Sequence, residues 1–82
     1  MTLHEVAEEL ARRLDAQVEP GENPYERKLL GKGYNVLVGT FFGGWQATVN
    51  LPDQKPLTFY AEAVDMLELR IKAKLTGRDP NF

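Results

Sequence analysis

The chain has no cysteine and only one histidine, His4. Without thiols there is neither a disulfide framework nor a thiolate nucleophile, and one imidazole does not furnish a closed zinc site. The oxidising secretory route has left no mark on the composition, so the cytoplasm is the expected compartment. Long apolar runs are missing as well. None approaches the roughly 20 residues that a membrane-spanning helix needs, and no signal peptide is expected. A hydrolytic triad requires a nucleophile, a base and an orienting group, yet the only imidazole stands in the first turn of a helix on its solvent side. Carboxylates are available at Glu5, Glu8, Glu9, Glu62 and Asp65, but on helix faces where nothing buries them to raise a pKa. Gly31-Lys32-Gly33 leads into a strand and not into the helix N-terminus that cradles phosphate, so it reads as a turn. Asp53 stands alone in its loop, far short of the oxygen set of a calcium loop of about 12 residues. The expectation is a protein without catalytic residues, cofactor or metal.

What remains is a small globular chain. Its 82 residues are 43% hydrophobic and 27% charged, too apolar for a disordered segment. A chain of this size buries about 60–65% of its unfolded surface and carries a stability of about 5 kcal/mol, which allows one core. Residues 1–77 are expected to form a single domain and residues 78–82 a loose tail. The net charge of −2 is unevenly spread. Residues 1–26 hold seven acids against Arg12 and Arg13, while residues 27–82 hold eight bases against five acids. The first helix should therefore present an acidic surface, with basic groups at Arg27, Lys28 and Lys32 and at Arg70, Lys72, Lys74 and Arg78.

Leu3, Val6, Ala7, Leu10, Ala11 and Leu14 recur at spacings of three and four, which predicts an amphipathic helix over residues 2–15. Thr2 and Glu5 make a capping box, and Glu8 with Arg12 and Glu9 with Arg13 are expected one-turn ion pairs. The segment Glu19 to Pro24 reads as a loop. Tyr25 to Leu30 is a strand or extended lead-in, followed by a turn at residues 31–33 and a strand from Tyr34 to Phe41. Trp45 to Leu51 is the next strand. Leu57 to Tyr60 is a short one, placed at a sheet edge by Pro56. Val64, Leu67, Ile71 and Leu75, with Ala63 beside them, mark a closing helix over residues 61–76 that stops at Gly77.

A two-residue turn at Gly43-Gly44 would pair Phe42 with Trp45, Thr40 with Ala47, Val38 with Val49 and Val36 with Leu51. Alternation then puts Val36, Val38, Thr40, Phe42, Trp45, Ala47, Val49 and Leu51 on a core face. Asn35, Leu37, Gly39, Phe41, Gln46, Thr48 and Asn50 take the other. The predicted class is α+β, a two-layer fold with an antiparallel sheet of three to four strands and both terminal helices packed on the Trp45 face, in α-β-β-β-α order.

On the outer face Leu37 and Phe41 share one strand, with Gly39 leaving a flat gap between them bordered by Gln46, Thr48 and Asn50. That spot is the expected protein-binding surface, carried by Leu37, Phe41, Gln46 and Thr48. Edge strands offer a second route, adding a strand from another chain or from a second copy as a homodimer. The rival expectation is nucleic-acid binding through Arg27, Lys28, Lys32, Lys72 and Lys74. The predicted element order resembles double-stranded RNA-binding domains, but the start of the last helix carries Glu62 and Asp65 where those domains carry lysines. A stacking surface also needs several exposed aromatics, and Phe41 is the only one expected on the outer face.

Tyr34, Val36 and Val38, the turn Gly43-Gly44-Trp45, then Ala47, Val49, Leu51, Pro52, Glu62 and Ala63 follow a strand, turn, strand and helix pattern over residues 34–75. In these residues the chain resembles the HicB-type antitoxins, although the family's Pro-Gly-Cys-like segment is absent and a long N-terminal helix is added. The resemblance implies a non-catalytic inhibitor that occludes another protein as a dimer.

Overall fold

A computed structural model describes residues 1–19 and 24–77. Its elements are α1 (Leu3–Leu14), β1 (Gln17–Glu19), β2 (Glu26–Gly31), β3 (Tyr34–Phe41), β4 (Gly44–Asn50), β5 (Leu57–Ala61) and α2 (Val64–Leu75). The strands form one antiparallel sheet in the order β1-β2-β3-β4-β5, and both helices pack against the same face of it. The α+β, two-layer class is therefore observed, but with five strands where three or four were expected. With five strands between the helices, the element order does not match the three-stranded α-β-β-β-α order of double-stranded RNA-binding domains. No described helix is long and apolar enough to cross a membrane. Most of the expected loop at residues 19–24, and the tail at residues 78–82, lie outside the described residues.

α1 begins as its sequence dictates. The Glu5 N–H donates to Thr2 Oγ1 (3.2 Å) and the Thr2 N–H to the Glu5 carboxylate (2.8 Å), so two orphan donors of the first turn are satisfied reciprocally. Val6, Ala7, Leu10 and Ala11 are buried beneath it. The expected Glu8–Arg12 pair does not form. Glu8 pairs with His4 instead, and Arg12 joins Arg13 on Glu9, since a carboxylate accepts from two guanidinium groups at once. Arg13 also reaches Asp65 Oδ1 (2.5 Å) and Glu68 Oε1 (3.0 Å), which ties α1 to α2. These partners hold the Glu9 carboxyl down at about 2 and raise the Arg13 guanidinium. Glu68 is lowered by Lys72 first and Arg13 second.

α2 starts at Ala63, an exposed N-cap without a side-chain bond, so Ala63 is not part of the apolar stripe expected to include it. Ala73 is buried with Val64, Leu67 and Ile71 instead. Leu10, Leu29, Leu67 and Ile71 are wholly buried, and each contributes about 1.5–3 kcal/mol by leaving water. At the end of α1 the Tyr34 hydroxyl donates to the Leu14 carbonyl (3.2 Å), fastening β3 to the helix.

The central hairpin is displaced from the expected register. The turn is Phe42-Gly43, with φ of 41° and 80°, the positive pair that a type I′ turn demands. Consequently Phe41 faces Gly44, Thr40 faces Trp45, Val38 faces Ala47 and Val36 faces Val49. Each pairing has slipped by two positions along one strand, and because side chains alternate with a period of two, the faces survive the slip. Val36, Val38, Ala47 and Val49 are buried, and Trp45 packs partly against the core. Phe42, expected on that face, is instead a turn residue that is 96% exposed. Leu51 lies just past β4 and packs against the core without a strand partner. The preceding turn is Lys32-Gly33, with Gly31 inside β2 opposite Tyr34.

Candidate interaction surface

With both helices on one side, the other face of the sheet is open among the described residues. Its rows follow from the register. Glu19, Lys28, Leu37, Thr48 and Thr58 make one row, and Glu26, Gly39, Gln46 and Tyr60 the next, with Phe41 and Gly44 beyond them. The four residues expected to bind a partner, Leu37, Phe41, Gln46 and Thr48, therefore share this face. Thr48 Oγ1 is 2.8 Å from Thr58 Oγ1, and the Asn50 amide donates to the Asn35 side-chain oxygen (2.9 Å), so much of the face is a satisfied polar lattice.

Its apolar centre is not where the sequence pattern puts it. Gly39 leaves no flat gap. A Cβ there would meet Gln46 Nε2 at 3.3 Å and the Tyr25 carbonyl at 3.4 Å, so neighbouring groups already fill the space between Leu37 and Phe41. Leu37 is half-buried, between Lys28 and Thr48. Leu29 does not cover the face, because its side chain is in the core.

The exposed apolar group is an aromatic cluster at one end. Phe41 lies opposite Gly44, which has no side chain, and its ring reaches across β4 to the ring of Tyr60 on β5, centroid to centroid 4.3 Å. Phe42 stacks on Phe41 edge to face at 4.7 Å and 82°. Gly44 is required at this crossing, since a Cβ would stand 2.9 Å from the Ala61 carbonyl oxygen. Phe41 is 40% exposed and Tyr60 49%. Together with Phe42, Trp45 and Glu62 they line a hollow of about 250 Å³. The expectation that Phe41 is the outer face's only exposed aromatic is thus corrected. The signal was present in two adjacent aromatic pairs, Phe41-Phe42 and Phe59-Tyr60. Adjacent residues in a strand face opposite ways, so Phe59 in the core leaves Tyr60 outside.

The basic residues of the rival reading do not gather on this face. Lys28 is on it, whereas Arg27 occupies the inner row and donates to the carbonyls of Pro24 (3.3 Å) and Glu26 (2.8 Å). Lys32 is in the β2–β3 turn. On α2, Lys72 is paired with Glu68 (2.7 Å) and Lys74 donates to Gln54 Oε1 (3.0 Å). Arg78 lies outside the described residues. Among those residues no three histidine or carboxylate side chains come together as metal ligands.

No protein-family model matches this chain, and no curated protein or solved structure is significantly similar to it.

Proposed function

We propose that this chain is a non-catalytic protein-interaction module of the adaptor, antitoxin or inhibitor kind. It binds another protein through the outer sheet face, with Phe41, Phe42 and Tyr60 as apolar anchors and Leu37, Gln46 and Thr48 as flanking contacts. The observation that carries this reading is Phe42. A bulky side chain at a φ of 41° costs backbone energy, and at 96% exposure it recovers little of that by burial within the chain. Such a residue fits a surface whose burial is completed by a partner, and aromatic residues are the side chains that dominate interface energetics.

The test compares the native chain with a Phe41→Ser, Phe42→Ser double variant as bait in quantitative affinity capture. A protein recovered in near-equal molar amount with the native chain, and lost with a variant that still unfolds cooperatively, supports the reading. Equal recovery on both baits refutes it.

Nucleic-acid binding is retained as a second reading because three aromatics at the end of a sheet provide stacking surfaces. Glu62, which lines the same hollow as the aromatics, repels phosphate, and this ranks it second. Absence of salt-sensitive binding to single-stranded or duplex oligonucleotides eliminates it.

A further inference from the structure

The two edges of the sheet are unlike. β1 is three residues long and ends on the carboxylate of Glu19, two features that discourage pairing with another chain. β5 has the reverse character. Leu57, Thr58, Phe59, Tyr60 and Ala61 carry no charge, three of the five (Thr58, Phe59 and Tyr60) are residues that suit a pleated surface, and the only interruption is Pro56 just before the strand. Among the described residues no strand lies beyond it. The Arg70 guanidinium, reaching up from α2, donates to the Tyr60 carbonyl (3.1 Å). That carbonyl is therefore turned to the open side, and alternation along an antiparallel ladder turns the N–H and carbonyl of Thr58 to the same side. A carbonyl has two lone pairs, so Arg70 leaves one for a further donor. Charges flank the strand, Lys55 two residues before it and Glu62 directly after it, both exposed.

We propose that two copies of this chain join through β5, antiparallel, about a twofold axis at Phe59. In that register Thr58 of one copy lies opposite Tyr60 of the other, and these are the residues whose backbone groups face outward. They form the hydrogen-bonded pairs of the new ladder. Pro56 lies opposite the second copy's Glu62 and Lys55 opposite its Ala63; both charges lie past the ends of β5, and the flexible four-carbon stem of Lys55 spans the one-residue offset to the opposite carboxylate. Parallel pairing would bring Lys55 beside Lys55 and Glu62 beside Glu62, so charge selects the antiparallel arrangement. The result is one continuous ten-stranded sheet whose two Phe41–Tyr60 clusters lie on the same face. Partner binding through that face becomes bivalent, but the self-pairing does not depend on it.

Sedimentation equilibrium of the purified full chain over a wide concentration series tests this without any partner protein. The expected species has twice the 9.3 kDa of one chain. Lys55→Glu turns two symmetry-related attractions into repulsions and should weaken the dimer about tenfold, Glu62→Lys should do the same, and the double exchange should restore it. Both residues are exposed, so the fold is retained in all three variants. A monomer at every concentration overturns the proposal, and so does a dimer whose affinity is the same in both single variants.

Discussion

Replacing Phe42 with asparagine should raise the stability of this protein, while replacing it with alanine should lower it. Phe42 and Gly43 occupy the two central positions of the β3–β4 turn at φ of 41° and 80°. A left-handed backbone costs an ordinary residue about 1–2 kcal/mol, and asparagine is relieved of much of this because its short amide bonds locally to the backbone. Against that stands the lost edge-to-face contact with Phe41, centroids 4.7 Å apart. At so exposed a site the contact contributes about 0.5 kcal/mol, the low end for aromatic pairs. The asparagine variant therefore gains about 0.5 kcal/mol net, assuming roughly 1 kcal/mol of relieved strain. Alanine loses the ring and keeps the strain, a change of about 0.5 kcal/mol in the other direction. The difference between the two variants is about 1 kcal/mol, or roughly 4–8 °C in Tm for a domain of this size. Thermal unfolding followed by circular dichroism resolves it, and the urea midpoint should shift in the same sense. If asparagine proves no more stable than alanine, the turn is not strained by its aromatic residue, and the argument from Phe42 to an interface collapses.

Two further outcomes concern the core and the helix seam. Val38 is wholly buried beneath the helices, and its cross-strand neighbour Arg27 has its guanidinium on the Pro24 and Glu26 carbonyls; desolvating an aspartate there costs several kcal/mol against a total of about 5, so Val38→Asp should abolish cooperative unfolding. Thr40→Asp, two residues along the same face but exposed, should leave a native circular-dichroism spectrum, and if it unfolds the chain too, the burial argument is wrong. The Glu9 carboxyl is held at about 2 and Glu68 is also lowered, so the unfolded chain takes up protons first as pH falls. Their contribution is complete above the ordinary carboxylate value of 4.5 and is lost as pH falls toward about 2. Arg13→Gln removes the partner shared by Glu9, Asp65 and Glu68, and should move the acid-unfolding midpoint to higher pH; identical acid limbs for variant and native chain would contradict this.

Local signals made α1 legible, because its cap, its stripe and its length are all written in neighbouring residues. The two faces of the β3–β4 hairpin were legible for a different reason: an error of two in the pairing cannot move a side chain across the sheet. The turn itself was not. Gly43-Gly44 is the better turn by conformational preference, yet Gly44 is needed within the sheet, where the Ala61 carbonyl leaves no room for a Cβ. That demand comes from β5, 17 residues further along the chain. β1 escaped detection because three residues have no periodicity to read, and their pairing with Leu30, Leu29 and Lys28 exists only in the folded sheet. The candidate interaction surface was half legible. Phe41 fell on the correct face, but its partner Tyr60 comes from a strand two places away in the sheet.

By itself, then, the order of residues determined both helices, the four longer strands and the two faces of the β3–β4 hairpin, since helix caps, apolar stripes and strand alternation act over a few bonds. Tertiary structure alone decided that the turn falls on Phe42, that Gln46 closes the space over Gly39, and that Phe41 and Tyr60 meet above Gly44. The reason is physical: those outcomes depend on how closely two backbones can approach across the sheet, a distance that no local stretch of chain encodes.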